Sequence, residues 1–182
     1  DRIEFQVGTP GSDKNNSNAT GTIRFQERAD CEAQDLGDLK HRIAEPFEIA
    51  TCYDWLQTSG VDHGPASRAL SQVSRSGQDV LAQIKLPRRL MASLEAMPLH
   101  PVVLDAAIQA WVAAGNAPPD GAGVPFACKE IEVHGACAMV MWAHVRLREG
   151  RNQKPPVRYL DIDVMDHDGV PQLVFRDLAV LL

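Results

Sequence analysis

Apolar residues alternate with polar ones in most of the hydrophobic stretches of this chain, and one stretch breaks the pattern by being apolar all round. The alternating runs begin with Ile3, Phe5 and Val7, which resume over 19–25 after a polar break at Gly8–Asn16. That is the pattern of a hairpin with a long loop. Further runs are Val80-Ala82-Ile84-Leu86, Lys129–Val133, Met139–Leu147, Tyr159–Met165 and Leu173–Leu181, the last two flanking a tight Asp166-His167-Asp168-Gly169 turn. A period of two marks half-buried strands. In 139–147, Met139, Met141, Ala143, Val145 and Leu147 face one way and Val140, Trp142, His144 and Arg146 the other.

The exception is Val102 to Trp111, apolar on every side apart from Asp105 and Gln109. Pro101 suits a first helical turn, where its missing N–H costs nothing. The run predicts a helix over 101–114 buried on most sides, followed by a Pro- and Gly-rich loop at Gly115–Gly123. A shorter helix is expected around Tyr53–Thr58, with Thr51 and Asp54 spaced as in a capping box and Gly60 as its stop. Strands outnumber helices, so the pattern predicts an α+β fold, an antiparallel sheet wrapped around one central helix. Residues 28–48 are polar and weakly periodic and read as a linker between a hairpin at 1–27 and a compact unit at 49–182. Two strands alone cannot bury a face, so the hairpin is a poor independent domain.

Composition narrows the function. The 182 residues are 45% hydrophobic and 23% charged, as in a globular domain with a real core. The formal net charge of −6 and the lack of any basic run longer than Lys85-Leu86-Pro87-Arg88-Arg89 argue against nucleic acid. No apolar stretch approaches the length of a membrane helix, and the first residues do not resemble a signal peptide, which predicts a cytoplasmic location without membrane attachment. The four cysteines, Cys31, Cys52, Cys128 and Cys137, contain no C-x-x-C pair and read as reduced thiols. A zinc site from Cys128, His134 and Cys137 is the less favoured alternative.

Asp105 is the residue that calls for chemistry. A carboxyl group in an apolar helix either finds hydrogen-bond partners or stays protonated with a raised pKa, the state of a general acid. Gln109 lies one turn on, at i+4, within reach of that carboxyl or of a substrate oxygen beside it. His100 precedes the helix as a candidate cap, and His63 sits in a loop of turn formers. His41, His134, His144 and His167 are expected in solvated positions. The run Asp161, Asp163, Asp166 and Asp168 fits strand alternation into a turn better than a calcium loop. No serine-hydrolase, phosphate-loop, dinucleotide or zinc-protease motif occurs.

Three blocks in order, Gly60-Val61-Asp62-His63-Gly64-Pro65, His100-Pro101-Val102-Val103-Leu104-Asp105-Ala106-Ala107-Ile108-Gln109 and Val124-Pro125-Phe126, resemble the C-terminal half of a polyketide synthase dehydratase domain. The stretches 129–137 and 141–146 resemble those of trans-acyltransferase assembly lines. The resemblance implies a hot-dog fold, the second half of a double hot dog, with residues 1–27 as the closing hairpin of the first. It implies loss of water from a β-hydroxyacyl thioester carried on the phosphopantetheine of an acyl carrier protein, with no metal or organic cofactor of the domain's own. By the same resemblance Asp105 protonates the departing hydroxyl, Gln109 holds it, and His63, Gly64, Pro65, His100, Pro125 and Phe126 line the substrate site. The implied partners are the carrier protein, a neighbouring ketosynthase and other synthase domains, and a second copy in a homodimer.

Two departures qualify what is implied. The family's base motif is H-x-x-x-G-x-x-x-x-P, and no histidine here is followed four residues later by glycine. Either the first half lies elsewhere or dehydration has been lost. The family usually has tyrosine where this chain has His63. A non-dehydrating branching domain that assists conjugate addition by a ketosynthase is therefore the alternative, with a pyran-forming or double-bond-shifting relative behind it.

Overall fold

The computed structural model describes residues 2–9, 17–26, 31–115, 123–148 and 157–182, which fall into two compact units, Asp1–Asp30 and Cys31–Leu182. The first unit is the expected hairpin, β1 (Arg2–Gly8) antiparallel to β2 (Ser17–Arg24). Phe5 lies opposite Gly21, and a Cβ there would come within 2.5 Å of its ring. Glycine thus lets the aromatic ring lie across the partner strand. Ile3, Phe5, Val7 and Ile23 remain exposed, as two strands without a covering layer require. Most of the loop predicted between them, residues 10–16, lies outside the described residues.

The second unit is one antiparallel sheet. Its strands are β3 (Glu45–Pro46), β4 (Leu70–Ser76), β5 (Asp79–Lys85), β6 (Val124–Val133), β7 (Val140–Leu147), β8 (Val157–Met165) and β9 (Pro171–Leu181). They are ordered β3-β4-β5-β7-β8-β9-β6. Three helices accompany them: α1 (Leu36–Arg42), α2 (Ile49–Thr58) and α3 (Pro101–Gln109), the last tightening into a 3₁₀ turn over Ala110–Ala113. Gly60, at φ 89°, follows α2 as expected, but the helix begins about one turn before Tyr53, at Ile49 behind Glu48 and without a side-chain cap, so Thr51 and Asp54 lie within it and form no capping box.

α3 packs against β5, β7 and β8. Val103, Ala106, Ala107 and Ala110, spaced i, i+3, i+4 and i+7, are wholly buried in one cluster with Val80, Ala82 and Ile84, with Met141, Ala143 and Val145, and with Leu160, Ile162 and Val164. Three alanines let the helix lie close on the sheet. The helix is therefore buried along one face rather than on most sides. Val102, Leu104, Asp105 and Ile108 are only partly buried, although their composition gave no polar face to mark the difference. Cys52 is buried on α2, and burial pushes its thiol up to about 12, the character of an inert cysteine.

The other sheet face corrects two expectations. Residues 28–48 are not simply a linker: 36–42 form α1, and the compact unit begins at Cys31 rather than Ile49. Asp35 caps the helix by accepting from Gly37 N at 2.8 Å and Asp38 N at 3.0 Å. Leu36, Leu39 and Ile43 form a second buried cluster with Leu81, Trp142 and Met165. That cover buries side chains whose alternation placed them toward solvent. His144 is the second correction, since it is buried rather than solvated.

A polar network surrounds His144. Gln34 donates to Asp163 Oδ2 at 2.6 Å, and Asp163 also pairs with Arg146 and Arg176, each at 2.7 Å. Burial works to raise the Asp163 pKa, but these two guanidinium groups outweigh it and hold the carboxyl below its usual range. Nδ1 of His144 lies 2.9 Å from Arg146 Nη1. The same nitrogen lies 3.0 Å from the Gln34 amide oxygen, so Nδ1 faces a donor and an acceptor at once. Burial, and secondarily Arg146, lowers the His144 pKa to about 4. Asp161 explains another part of the acidic run: it pairs with Arg148 and accepts from Asp177 N at 2.9 Å, where the β8–β9 register shifts and Asp177 takes φ 50°. His134 is not solvated as expected, since its side chain is only 10% exposed beside Glu132 at 3.2 Å, whereas His41 and His167 are exposed as expected.

Because the folded His144 pKa lies below its unfolded value of about 6.5, its contribution to stability is complete above that value and is lost as pH falls toward 4. Denaturant unfolding at pH 7 and pH 4.5 should show a loss of up to about 2 kcal/mol that is reduced in His144→Gln; equal loss in both proteins counts against this origin. Gly169 holds φ 79°, accepts from Gln34 N at 2.9 Å, and a Cβ there would sit 2.0 Å from the Gln34 carbonyl oxygen. Gly169→Ala should cost about 2–3 kcal/mol in the same assay.

Candidate active site

The N-terminus of α3 is held by His100. Its Nδ1 accepts from Val102 N at 3.3 Å, and its Nε2 lies 2.9 Å from Ser93 Oγ. The cap makes Nδ1 the acceptor, so Nε2 donates to Ser93, whose hydroxyl donates to the Leu90 carbonyl. The predicted capping role of His100 is thus observed, and both ring nitrogens are engaged within the fold. From this anchored start, Asp105 and Gln109 follow on the side of α3 that carries the loop after α2.

Gln109 is buried. Its Nε2 donates to Asp105 Oδ2 at 2.7 Å and to the Ser67 carbonyl at 3.2 Å. Both partners are acceptors, which fixes the orientation of the amide. The loop reaches α3 through a turn in which Ser67 N donates to Gly64 O at 2.9 Å, with Pro65 between them. Arg68 Nε donates to the His63 carbonyl at 2.8 Å, while its guanidinium lies 5.0 Å over the Tyr53 ring and 3.9 Å from Asp62. These contacts place His63 Nε2 3.8 Å from Asp105 Oδ2. Burial raises the Tyr53 pKa, and its oxygen accepts from Leu70 N at 3.3 Å.

The structure therefore brings together His63, Asp105 and Gln109: an imidazole, a carboxyl and an amide that can exchange protons with an oxygen-bearing substrate and orient it. Gly64 and Pro65 shape the loop. Pro125 and Phe126 are not brought to this cluster; they are exposed on β6, at the end of the sheet beyond the strands that hold α3. Asp105 also departs from expectation. Its side chain is 47% exposed, where the apolar run around it predicted burial. Tyr53, Ser67 and Arg68 were missed as site supports. Ser67 contributes only its carbonyl, which no side-chain pattern can flag, and Arg68 acts through a stacking contact made by the loop's path.

Among the described residues, the one cluster of three possible metal ligands is Asp166, His167 and Asp168 in the β8–β9 turn. Cys128, His134 and Cys137 do not form such a cluster, which corrects the zinc alternative.

The sheet wrapped on a central helix is a hot-dog fold. It matches the dehydratase domain of a trans-acyltransferase polyketide synthase from Brevibacillus brevis with a TM-score of 0.84 at 24% identity, over 100% of this chain and 65% of that one. Residues 31–180 match the family model described as the polyketide synthase dehydratase N-terminal domain. This chain belongs to the polyketide synthase dehydratase family. Polyketide synthase PksN of Bacillus subtilis is 32% identical over 138 residues, which are 75% of this chain and 2% of that protein. The CurK dehydratase of the curacin synthase, at 21% identity, shares the fold over 88% of this chain and 55% of that one, with TM-scores of 0.75 and 0.77 for two inactive mutants. In one a histidine is replaced by phenylalanine, and in the other an aspartate by asparagine. The chain thus spans about two thirds or less of the solved dehydratase domains and a small fraction of the curated synthase.

Gln109→Ala removes the donor to Asp105 and to the loop carbonyl. It should lower stability by about 1–3 kcal/mol and speed amide hydrogen exchange over residues 61–69. Unchanged exchange there would show that the amide does not hold the loop.

Proposed function

We propose that the chain carries the acid half of a dehydratase-type site acting on a β-hydroxyacyl thioester, held on the phosphopantetheine of an acyl carrier protein within a modular synthase. The observation that carries this reading is the Gln109-to-Asp105 hydrogen bond of 2.7 Å on a helix seated in the hot-dog sheet. A base removes the α-proton, and the C–H electron pair becomes the new C=C bond. The C–O bond breaks, and the hydroxyl takes a proton from Asp105 and leaves as water. A β-hydroxyl is a poor leaving group at neutral pH, so a positioned acid is what the step requires. An Asp→Asn mutant of the CurK dehydratase, which shares this fold, is inactive, in keeping with a dehydratase site that depends on a carboxyl group.

In this reading the base is a histidine of a preceding hot dog, to which residues 1–27 contribute the closing hairpin. The half-exposed Asp105 carboxyl suits a site completed by a second surface that supplies the base and excludes water. The chemistry needs no metal or organic cofactor. The ketosynthase and other synthase domains, and a second copy of the domain, are the remaining partners, in a cytoplasmic assembly; no helix among the described residues is long and apolar enough to cross a membrane. His63 in place of tyrosine, with the base motif missing, favours a second reading: a non-dehydrating branching domain that holds an acyl chain for conjugate addition.

The complete domain, offered a β-hydroxyacyl carrier protein, should release one water by mass, and Asp105→Asn should slow this at least about a hundredfold. Unchanged turnover in Asp105→Asn overturns the acid assignment. A domain that releases no water, and whose deletion from the synthase abolishes branched product while linear extension continues, would establish the branching reading instead.

A further inference from the structure

We propose that His63 is a second catalytic residue of this site, donating through Nε2–H to the same substrate oxygen that Asp105 protonates. The gap between Nε2 and the nearest Asp105 oxygen is 3.8 Å. That is too long for a direct hydrogen bond, yet one oxygen at about 2.8 Å from each group fits between them. The β-hydroxyl of the proposed substrate is such an oxygen, so this inference rests on the reading above and assigns His63 its part in it.

The ring's surroundings select the donating nitrogen. Nδ1 is sealed from solvent with no hydrogen-bond partner. An N–H at that position would be a buried donor without an acceptor, a costly arrangement that native structures largely avoid. The proton therefore sits on Nε2, the nitrogen turned toward Asp105. A tyrosine hydroxyl at this position could donate or accept, whereas this imidazole, with its lone pair buried on Nδ1, offers the substrate a donor only.

The ring is also held in place. Its side chain is 11% exposed and lies against Tyr53 of α2 with centroids 6.4 Å apart. Its own carbonyl is pinned by Arg68. The charged and titratable groups around it are Asp105 on α3, Tyr53 on α2, and Asp62 and Arg68 on its own loop. Such a preorganised donor acts by stabilising charge that develops on the departing oxygen. No bond to His63 forms or breaks: Asp105 supplies the transferred proton, and the C–O electron pair leaves with the water.

The test uses the complete domain with a β-hydroxyacyl carrier protein. His63→Phe should lower kcat about a hundredfold with KM within about twofold, and His63→Gln, whose amide nitrogen reaches a similar point and donates, should recover at least tenfold of the loss. Wild-type kcat in His63→Phe overturns the proposal. Nitrogen-15 NMR of the histidine rings gives a reading that needs neither turnover nor a folded variant. The His63 ring should carry its proton on Nε2, and that signal should move when a non-reactive β-hydroxyacyl pantetheine amide binds. A proton on Nδ1, or a signal unmoved by the saturating probe, overturns the proposal as well. A wild-type domain that binds the probe through His63 but releases no water refutes the dehydration reading while leaving the contact established.

Discussion

Close packing of α3 in the curl of one antiparallel sheet sets the position of the candidate site in this chain. The helix meets β5, β7 and β8 through Val103, Ala106, Ala107 and Ala110, none of which retains exposed surface. Such small side chains leave little room for the helix to rotate or slide, because a larger residue would have to displace strand residues already at interior density. Fixing that face also fixes the direction of Asp105 and Gln109, which leave the helix toward the loop after α2. The cap built by His100 and Ser93 sets where the helix starts, and so the height of Asp105 above the sheet.

The sheet can serve as this platform only because its other face is also held. β5, β7 and β8 alternate between apolar side chains under α3 and, on the opposite side, Leu81, Trp142, His144, Arg146, Asp161, Asp163 and Met165. The apolar members of that second set are buried by α1. The ionic members are joined around Asp163, which accepts from Gln34 as well as from two arginines. Removing one partner from such a buried network leaves an uncompensated charge, which is why its members act together on stability. His144 gives the network its pH sensitivity, since burial disfavours the protonated ring and a second cation would face Arg146.

This division of faces also explains what could be read from the chain. The strands were legible because apolar residues recur at every second position, and the Asp105–Gln109 pair was legible because i and i+4 lie on one helix face. β4 was not, since only Leu70 and Val73 are buried and the register shift between Leu70 and Gln72 breaks their alternation. α1 was missed because three apolar residues in a polar stretch gain their meaning only from Leu81, Trp142 and Met165, which meet them on the sheet face opposite α3. His144 was misplaced for the same reason. The approach of His63 to Asp105 depends on a turn, a stacked arginine and a backbone carbonyl, none of which leaves a periodic trace.

The acid itself poses the sharper physical question. A general acid at neutral pH benefits from a dry setting, because burial favours the protonated carboxyl. The Gln109 N–H supplies orientation, holding one carboxyl oxygen at 2.7 Å. In this chain the hydrogen bond is present and the dry setting is not: the Asp105 side chain is nearly half exposed. Position and protonation are therefore separate contributions. The helix, Gln109 and the His63 loop supply position, with each distance set by contacts inside residues 53–109. In the proposed reaction the exposed side of Asp105 is where substrate and a base-bearing surface would meet it.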